Sequence, residues 1–123
     1  MAYPTWAWLG AHARTAPAYA YRFDRAPPGA GFGATHASEL EYVFETPEAR
    51  PYAWTEDDRS VSRRMGDHWV AYLRSGDPNI AGAPEWPRYA GAGSPVMRLD
   101  VTPSVEPLKE EVRFAMLEQL YSR

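Results

Sequence analysis

Three histidines are the side chains in this sequence best suited to moving protons near neutral pH. His12 lies between alanines on a helical stretch and reads as a surface residue. His68 sits beside Trp69 on an apolar helical face and reads as a core histidine with a bonded ring nitrogen. His36 differs from both. It follows a glycine-rich loop, Gly29–Gly33, which follows the strongest strand candidate, and it precedes a short helix. Reactive groups of α/β enzymes sit in loops at the C-terminal edge of a parallel sheet. His36 is therefore the candidate general base.

A base needs a group to activate, and the sequence offers none. It has no cysteine, which removes a thiolate nucleophile, a disulfide framework and thiolate metal sites. None of Ser38, Ser60, Ser62, Ser75, Ser94, Ser104 and Ser122 is framed as G-x-S-x-G. Gly93-Ser94-Pro95 comes closest, but Pro95 lacks the backbone N–H that would line an oxyanion hole. His36 and Glu39 have the i, i+3 spacing of a shared zinc, the basis of a minor metal-hydrolase reading. Catalytic zinc takes three protein ligands, and neither other histidine falls at ligand spacing. In α/β-hydrolases the triad order is Ser, acid, His. A piece from the C-terminal end would keep only the histidine.

The elements that must position His36 follow from periodicity. Thr5 is the expected N-cap of a helix over about 5–14, with Trp6, Leu9 and Ala13 on one face. Residues 18–23 alternate with aromatics at Tyr19, Tyr21 and Phe23, the period of a strand. Residues 26–33 hold two prolines and three glycines and form a loop. Leu40, Val43 and Phe44 suit one or two helical turns. Thr55-x-x-Asp58 opens a long amphipathic helix carrying Val61, Met65, His68, Trp69, Tyr72 and Leu73. Gly76 ends it and Pro78 forbids its continuation. Residues 96–101 form a weaker strand, far along the chain from the first. Pro107 opens a last helix whose apolar face is Leu108, Val112, Met116, Leu117, Leu120 and Tyr121. A strand with two apolar faces needs neighbours, so 18–23 reads as part of a sheet whose other strands are elsewhere.

Composition bounds the rest. At 123 residues the chain is one domain at most, with 45% hydrophobic and 24% charged residues, as in globular proteins. Thirteen Lys and Arg against 16 Asp and Glu give a net charge of −3, with no basic footprint for nucleic acid. No apolar run approaches the ~18–20 residues of a membrane span. The first ten residues do not read as a signal peptide, and the compartment is left open. Twelve prolines are about twice the usual ~5%. Aromatics reach 14%, so they either build a dense core or face a partner.

Gly33-Ala34-Thr35-His36-Ala37-Ser38-Glu39-Leu40-Glu41-Tyr42-Val43-Phe44 resembles the catalytic-histidine segment of type-B carboxylesterases, the group that includes the cholinesterases. The likeness runs in register over about residues 3–100. Gly76-Asp77-Pro78-Asn79 and Trp86-Pro87-Arg88-Tyr89 resemble the family's G-D-P-N and W-P-x-Y signatures, and Met97-Arg98-Leu99 its short strand. Glu45 departs from the pattern, where the family usually has glycine. The resemblance implies an α/β fold: the C-terminal part of an α/β-hydrolase, mostly helices with one or two strands of an incomplete sheet. Residues 1–123 would be a single partial domain. It implies a serine esterase acting on carboxylic esters, with His36 as general base and then general acid. The nucleophile and acid would lie in a missing N-terminal portion, so the isolated chain should be inactive. No cofactor or metal is implied. Glu39 is expected to sit in the first helical turn near the exposed N–H groups. Trp54, Trp69, Trp86 and Phe44 read as packing residues, and Phe32 or Phe44 as possible pocket walls. The competing reading is a non-enzymatic binding or interaction module of esterase ancestry.

Overall fold

The computed structural model describes residues 3–121, so Ser122 lies outside the described residues. The elements run α1 (Tyr3–His12), β1 (Tyr21–Phe23), α2 (Leu40–Val43), a 3-10 turn (Pro47–Ala49), α3 (Glu56–Ser75), β2 (Pro95–Leu99), β3 (Ser104–Pro107) and α4 (Glu111–Tyr121). The sheet order is β1-β2-β3, with β1 and β2 parallel and β2 and β3 antiparallel.

The alternation in β1 has the expected consequence. Tyr19, Tyr21 and Phe23 face α2 and α3 in one core, with Tyr42, Val61, Met65, Met97 and Leu99. Ala18 and Ala20 face α1 and α4 in a second core, with Leu9, Val96, Leu108 and Phe114. Helices thus cover both sheet faces, and a parallel pair buried in this way is the α/β arrangement.

Several expectations need correction. The strand at 96–101 is no remote fragment: β2 is the direct neighbour of β1, with Tyr21 opposite Met97 and Phe23 opposite Leu99. Three strands form rather than one or two, because Ser104–Pro107 adds an edge strand. Pro107 therefore closes β3 and does not open a helix. Proline is tolerated there because an edge strand spares one N–H. The other edge of β1 has no partner strand among the described residues. Thr5 lies inside α1, not at its cap, and Pro4 occupies the first turn, where a missing N–H costs nothing. In α4 the buried residue is Phe114, while Val112, Met116, Leu120 and Tyr121 are exposed. In α2 the buried residue is Tyr42, while Leu40 and the C-cap residue Phe44 are exposed.

α3 starts and stops where the sequence indicated. Thr55 accepts from the Asp58 amide at 3.2 Å, and the Asp58 carboxylate accepts from the Thr55 amide at 2.9 Å. Gly76 ends the helix with a left-handed φ of 74°. The predicted stripe is longer than the sheet it covers: Val61, Met65 and His68 are buried, whereas Tyr72 and Leu73 are exposed. After the helix, Asn79 binds the Trp86 backbone from both ends of its amide, at 2.6 and 3.1 Å. Trp86 then donates its indole N–H to the Ala20 carbonyl, and the Tyr89 amide donates to the Ala18 carbonyl. The G-D-P-N and W-P-x-Y segments are thus tied to each other and to residues 18–20, just before β1, where Tyr19 and Arg88 form an isolated bridge.

Glu45 sits at φ 51°, in the left-handed region, and its carboxylate occupies the space beside Gly66 of α3. A non-glycine residue there costs about 1–2 kcal/mol. Glu45→Gly is expected to raise stability by about 0.5–1 kcal/mol, after allowing for the greater freedom of glycine in the unfolded chain. Urea unfolding of the two proteins checks this, and a loss of stability would show that the Glu45 carboxylate makes a net favourable contact.

Candidate active site

His36 sits in a tight turn between the glycine-rich loop and α2, with its side chain exposed. The Ser38 hydroxyl holds the turn. It accepts from the Thr35 amide at 2.9 Å and shares a 2.9 Å hydrogen bond with the Thr35 hydroxyl. The Ser38 amide closes back on the Thr35 carbonyl at 3.1 Å. Ala37 takes a left-handed φ of 65° to complete the reversal. Short hydroxyl side chains bonding to nearby backbone are a standard device for such turns. The result presents the imidazole outward from a fixed backbone.

Ser38, set aside above as a nucleophile, is thus a buried clamp. Thr-x-x-Ser spacing was the available signal. Ser38→Ala is expected to speed exchange of the Thr35 amide about tenfold, the equivalent of one lost hydrogen bond of about 1–1.5 kcal/mol. Native-state hydrogen exchange reads this directly, and unchanged protection would mean that the backbone holds the turn alone.

His36 lines an open groove of about 610 Å³ with Thr5, Tyr21, Phe23, Thr35 and Glu39. The groove runs along β1, whose Tyr21 and Phe23 contribute to its lining. Glu39 stands at the N-cap position of α2, beside the free N–H groups of its first turn, and makes no side-chain capping bond. Its carboxylate faces Tyr21. Burial, and then that negative charge, push the Tyr21 phenol above its ordinary range. Phe32 and Phe44 are 93% and 70% exposed, and neither lines this groove. Phe44 is therefore not the packing residue it was expected to be, whereas Trp54, Trp69 and Trp86 do pack in the core under α3.

His12 is exposed and stacks on Trp8 at 5.5 Å. His68 is fully buried, with Nδ1 2.7 Å from the Pro78 carbonyl oxygen. The three histidines do not converge. Among the described residues no three His, Cys, Asp or Glu side chains group as metal ligands would, so His36 and Glu39 gain no third partner.

A profile described as the carboxylesterase family matches residues 1–116. The chain belongs to that family. Bile salt-activated lipase of Mus musculus is 35% identical over 115 residues, covering 88% of this chain and 19% of the lipase. Two solved structures, PNB esterase and thermophilic PNB esterase, match with TM-scores of 0.78 and 0.81 at 27% and 26% identity. These alignments cover 90% and 93% of this chain, and 23% and 24% of the two esterases. The fold is that of part of an α/β-hydrolase, and the chain spans about a fifth of the length of the relatives it matches. Three paired strands and helices on both faces make up that part.

Proposed function

We propose that this chain supplies the histidine of a carboxylesterase-type serine hydrolase, with His36 as general base toward a serine and general acid toward the leaving alcohol. The serine, the orienting acid and the oxyanion donors would come from a further portion of the same fold, which this chain completes as a partial domain. The substrate would be a small carboxylic ester. The observation that carries the reading is the exposed His36 imidazole on a clamped turn, lining the open groove along β1. A proton-transfer group needs that combination of a fixed backbone and an open face. Family membership and the likeness to two esterase structures support the same reading.

The test compares two polypeptides on p-nitrophenyl butyrate. The 123-residue chain alone should show no turnover. A polypeptide extended through the upstream reading frame to include a G-x-S-x-G segment should hydrolyse the ester. Turnover by the short chain that disappears in His36→Ala would overturn the division of labour. An inactive extended polypeptide with a correct fold would overturn the esterase reading itself.

A further inference from the structure

Phe32 is the most exposed large apolar side chain among the described residues, at 93%. It lies in Gly31-Phe32-Gly33-Ala34, four exposed residues outside any helix or strand. Among the described residues the backbone of these four makes no hydrogen bond. The nearest bonds stop on either side, from the Ala30 amide to the Pro27 carbonyl at 3.0 Å and from the Thr35 amide to the Ser38 hydroxyl at 2.9 Å. A Cβ added at Gly31 or Gly33 would meet nothing within 4 Å, so the backbone as well as the ring stands clear of the fold. A protease must draw its substrate chain into its cleft, and nicking concentrates at exposed loop tips of small residues. A chymotrypsin-type protease also needs a large side chain for its apolar S1 slot. The loop offers both.

The other exposed apolar side chains fail one of these demands. Trp8 lies within α1, Leu40 within α2, Tyr72 and Leu73 within α3, and Val112, Met116 and Leu120 within α4, where helical bonds hold the backbone. Phe44 is followed by Glu45 and Thr46, whose amides donate to the Tyr42 and Glu41 carbonyls at 3.3 and 2.9 Å. Tyr52 is only 37% exposed, and its amide and carbonyl are bonded to Arg50 and Trp54. Tyr121 ends α4, so a cut there is terminal. The segments before and after Phe32 hold each other without the loop. β1 pairs with β2, and Leu9, Ala18 and Ala20 share a core with Val96, Leu108 and Phe114. Arg25 donates to Asp58 at 2.6 Å, and the Trp86 indole donates to the Ala20 carbonyl at 3.0 Å.

We propose that the Phe32–Gly33 peptide bond is a processing site for an endoprotease that selects aromatic side chains, and that the cut chain persists as a two-piece complex. Hydrolysis adds one water across this bond and leaves a carboxylate on Phe32 and an amine on Gly33. The site is separate from the esterase reading and does not depend on it. Brief digestion of the folded 123-residue chain with chymotrypsin tests it. Denaturing mass spectrometry should show residues 1–32 and 33–123 as the first internal products. Size exclusion without denaturant should show the two in a single peak. Phe32→Ser should slow this cut about 100-fold and leave the urea midpoint unchanged, because the ring has no packing to lose. A first internal cut elsewhere overturns the proposal, and so do many simultaneous cuts, the sign of cleavage through global unfolding. Cleavage of Phe32→Ser at the wild-type rate, or pieces that elute apart, overturns it as well. The first cut is mapped on the wild-type chain, so it decides the matter without the variant. Since no ester hydrolysis is read, its failure would leave the esterase reading untouched.

Discussion

In an extended polypeptide that hydrolyses p-nitrophenyl butyrate, His36→Ala is expected to lower kcat by about 10⁴- to 10⁶-fold while leaving stability within about 0.5 kcal/mol. The size of the first effect follows from the work assigned to the imidazole. It takes the proton from the serine as the nucleophile attacks, then returns it to the leaving alcohol, so both chemical steps lose their proton carrier. The small size of the second follows from the structure. The His36 side chain is exposed, and the turn beneath it is held by Ser38 and Thr35, not by the ring. Truncation at an exposed site leaves no cavity and no stranded partner. The two readouts together separate chemistry from folding. A fall in kcat of less than about tenfold would remove His36 from the proton-transfer role. A large loss of stability would mean that the ring packs against something in the complete fold. His36→Gln keeps a polar side chain but cannot carry the proton, and should be as inactive as His36→Ala.

Much of the architecture was legible because it rests on local signals. The Tyr19, Tyr21, Phe23 alternation fixed which face of β1 meets α3, and Thr55, Asp58 and Gly76 fixed the ends of that helix. What failed was non-local. β1 and β2 are separated by the whole of α2 and α3, and no local pattern says that two short strands so far apart pair in parallel. β3 was missed because Ser104 and Glu106 look like loop residues. In the structure Glu106 binds Arg22 and Arg98, which stand opposite each other on the same sheet face. An edge strand can be held by such charges without an apolar pattern. In α4 the exposed Val112, Met116 and Leu120 form the more regular stripe, yet the core takes Phe114. A helix with apolar residues on several faces does not say which face the sheet takes. At the candidate site, the position of His36 in an exposed loop between β1 and α2 was legible from the order of the elements. The role of Ser38 was not, because a search for a nucleophile asks what flanks a serine and not what its hydroxyl can reach.

Asp58→Ala is expected to have the largest effect on stability of any single change in the chain, a loss of about 3–4 kcal/mol. Its carboxylate is fully buried and serves four groups. It accepts from the Arg25 guanidinium at 2.6 Å, the Tyr42 hydroxyl at 3.0 Å, the Thr55 amide at 2.9 Å and the Thr55 hydroxyl at 2.5 Å. These join the loop after β1, α2 and the start of α3, the elements on either side of the His36 turn. Alanine strands the buried Tyr42 hydroxyl and breaks the helix cap, each of which costs about 1–2 kcal/mol. Arg25 is partly exposed and can turn to water, which keeps the total toward the lower end for a broken buried pair. Burial by itself would raise the Asp58 pKa, but Arg25, Thr55 and Tyr42 outweigh it and hold the group at about 2. That depression fixes the sign of the pH dependence. The unfolded carboxyl takes up its proton near pH 3.9, before the folded one does, so the stabilisation is complete above about pH 4 and fades as pH falls toward 2. The difference corresponds to about 2–3 kcal/mol. Urea unfolding of wild type and Asp58→Asn across pH 2.5–7 separates this group from the other carboxylates. The gap between the two proteins should be widest at neutral pH and shrink by about 2 kcal/mol at the acid end. A gap that stays constant with pH would place the effect of Asp58 in shape and hydrogen bonding, with no contribution from its charge.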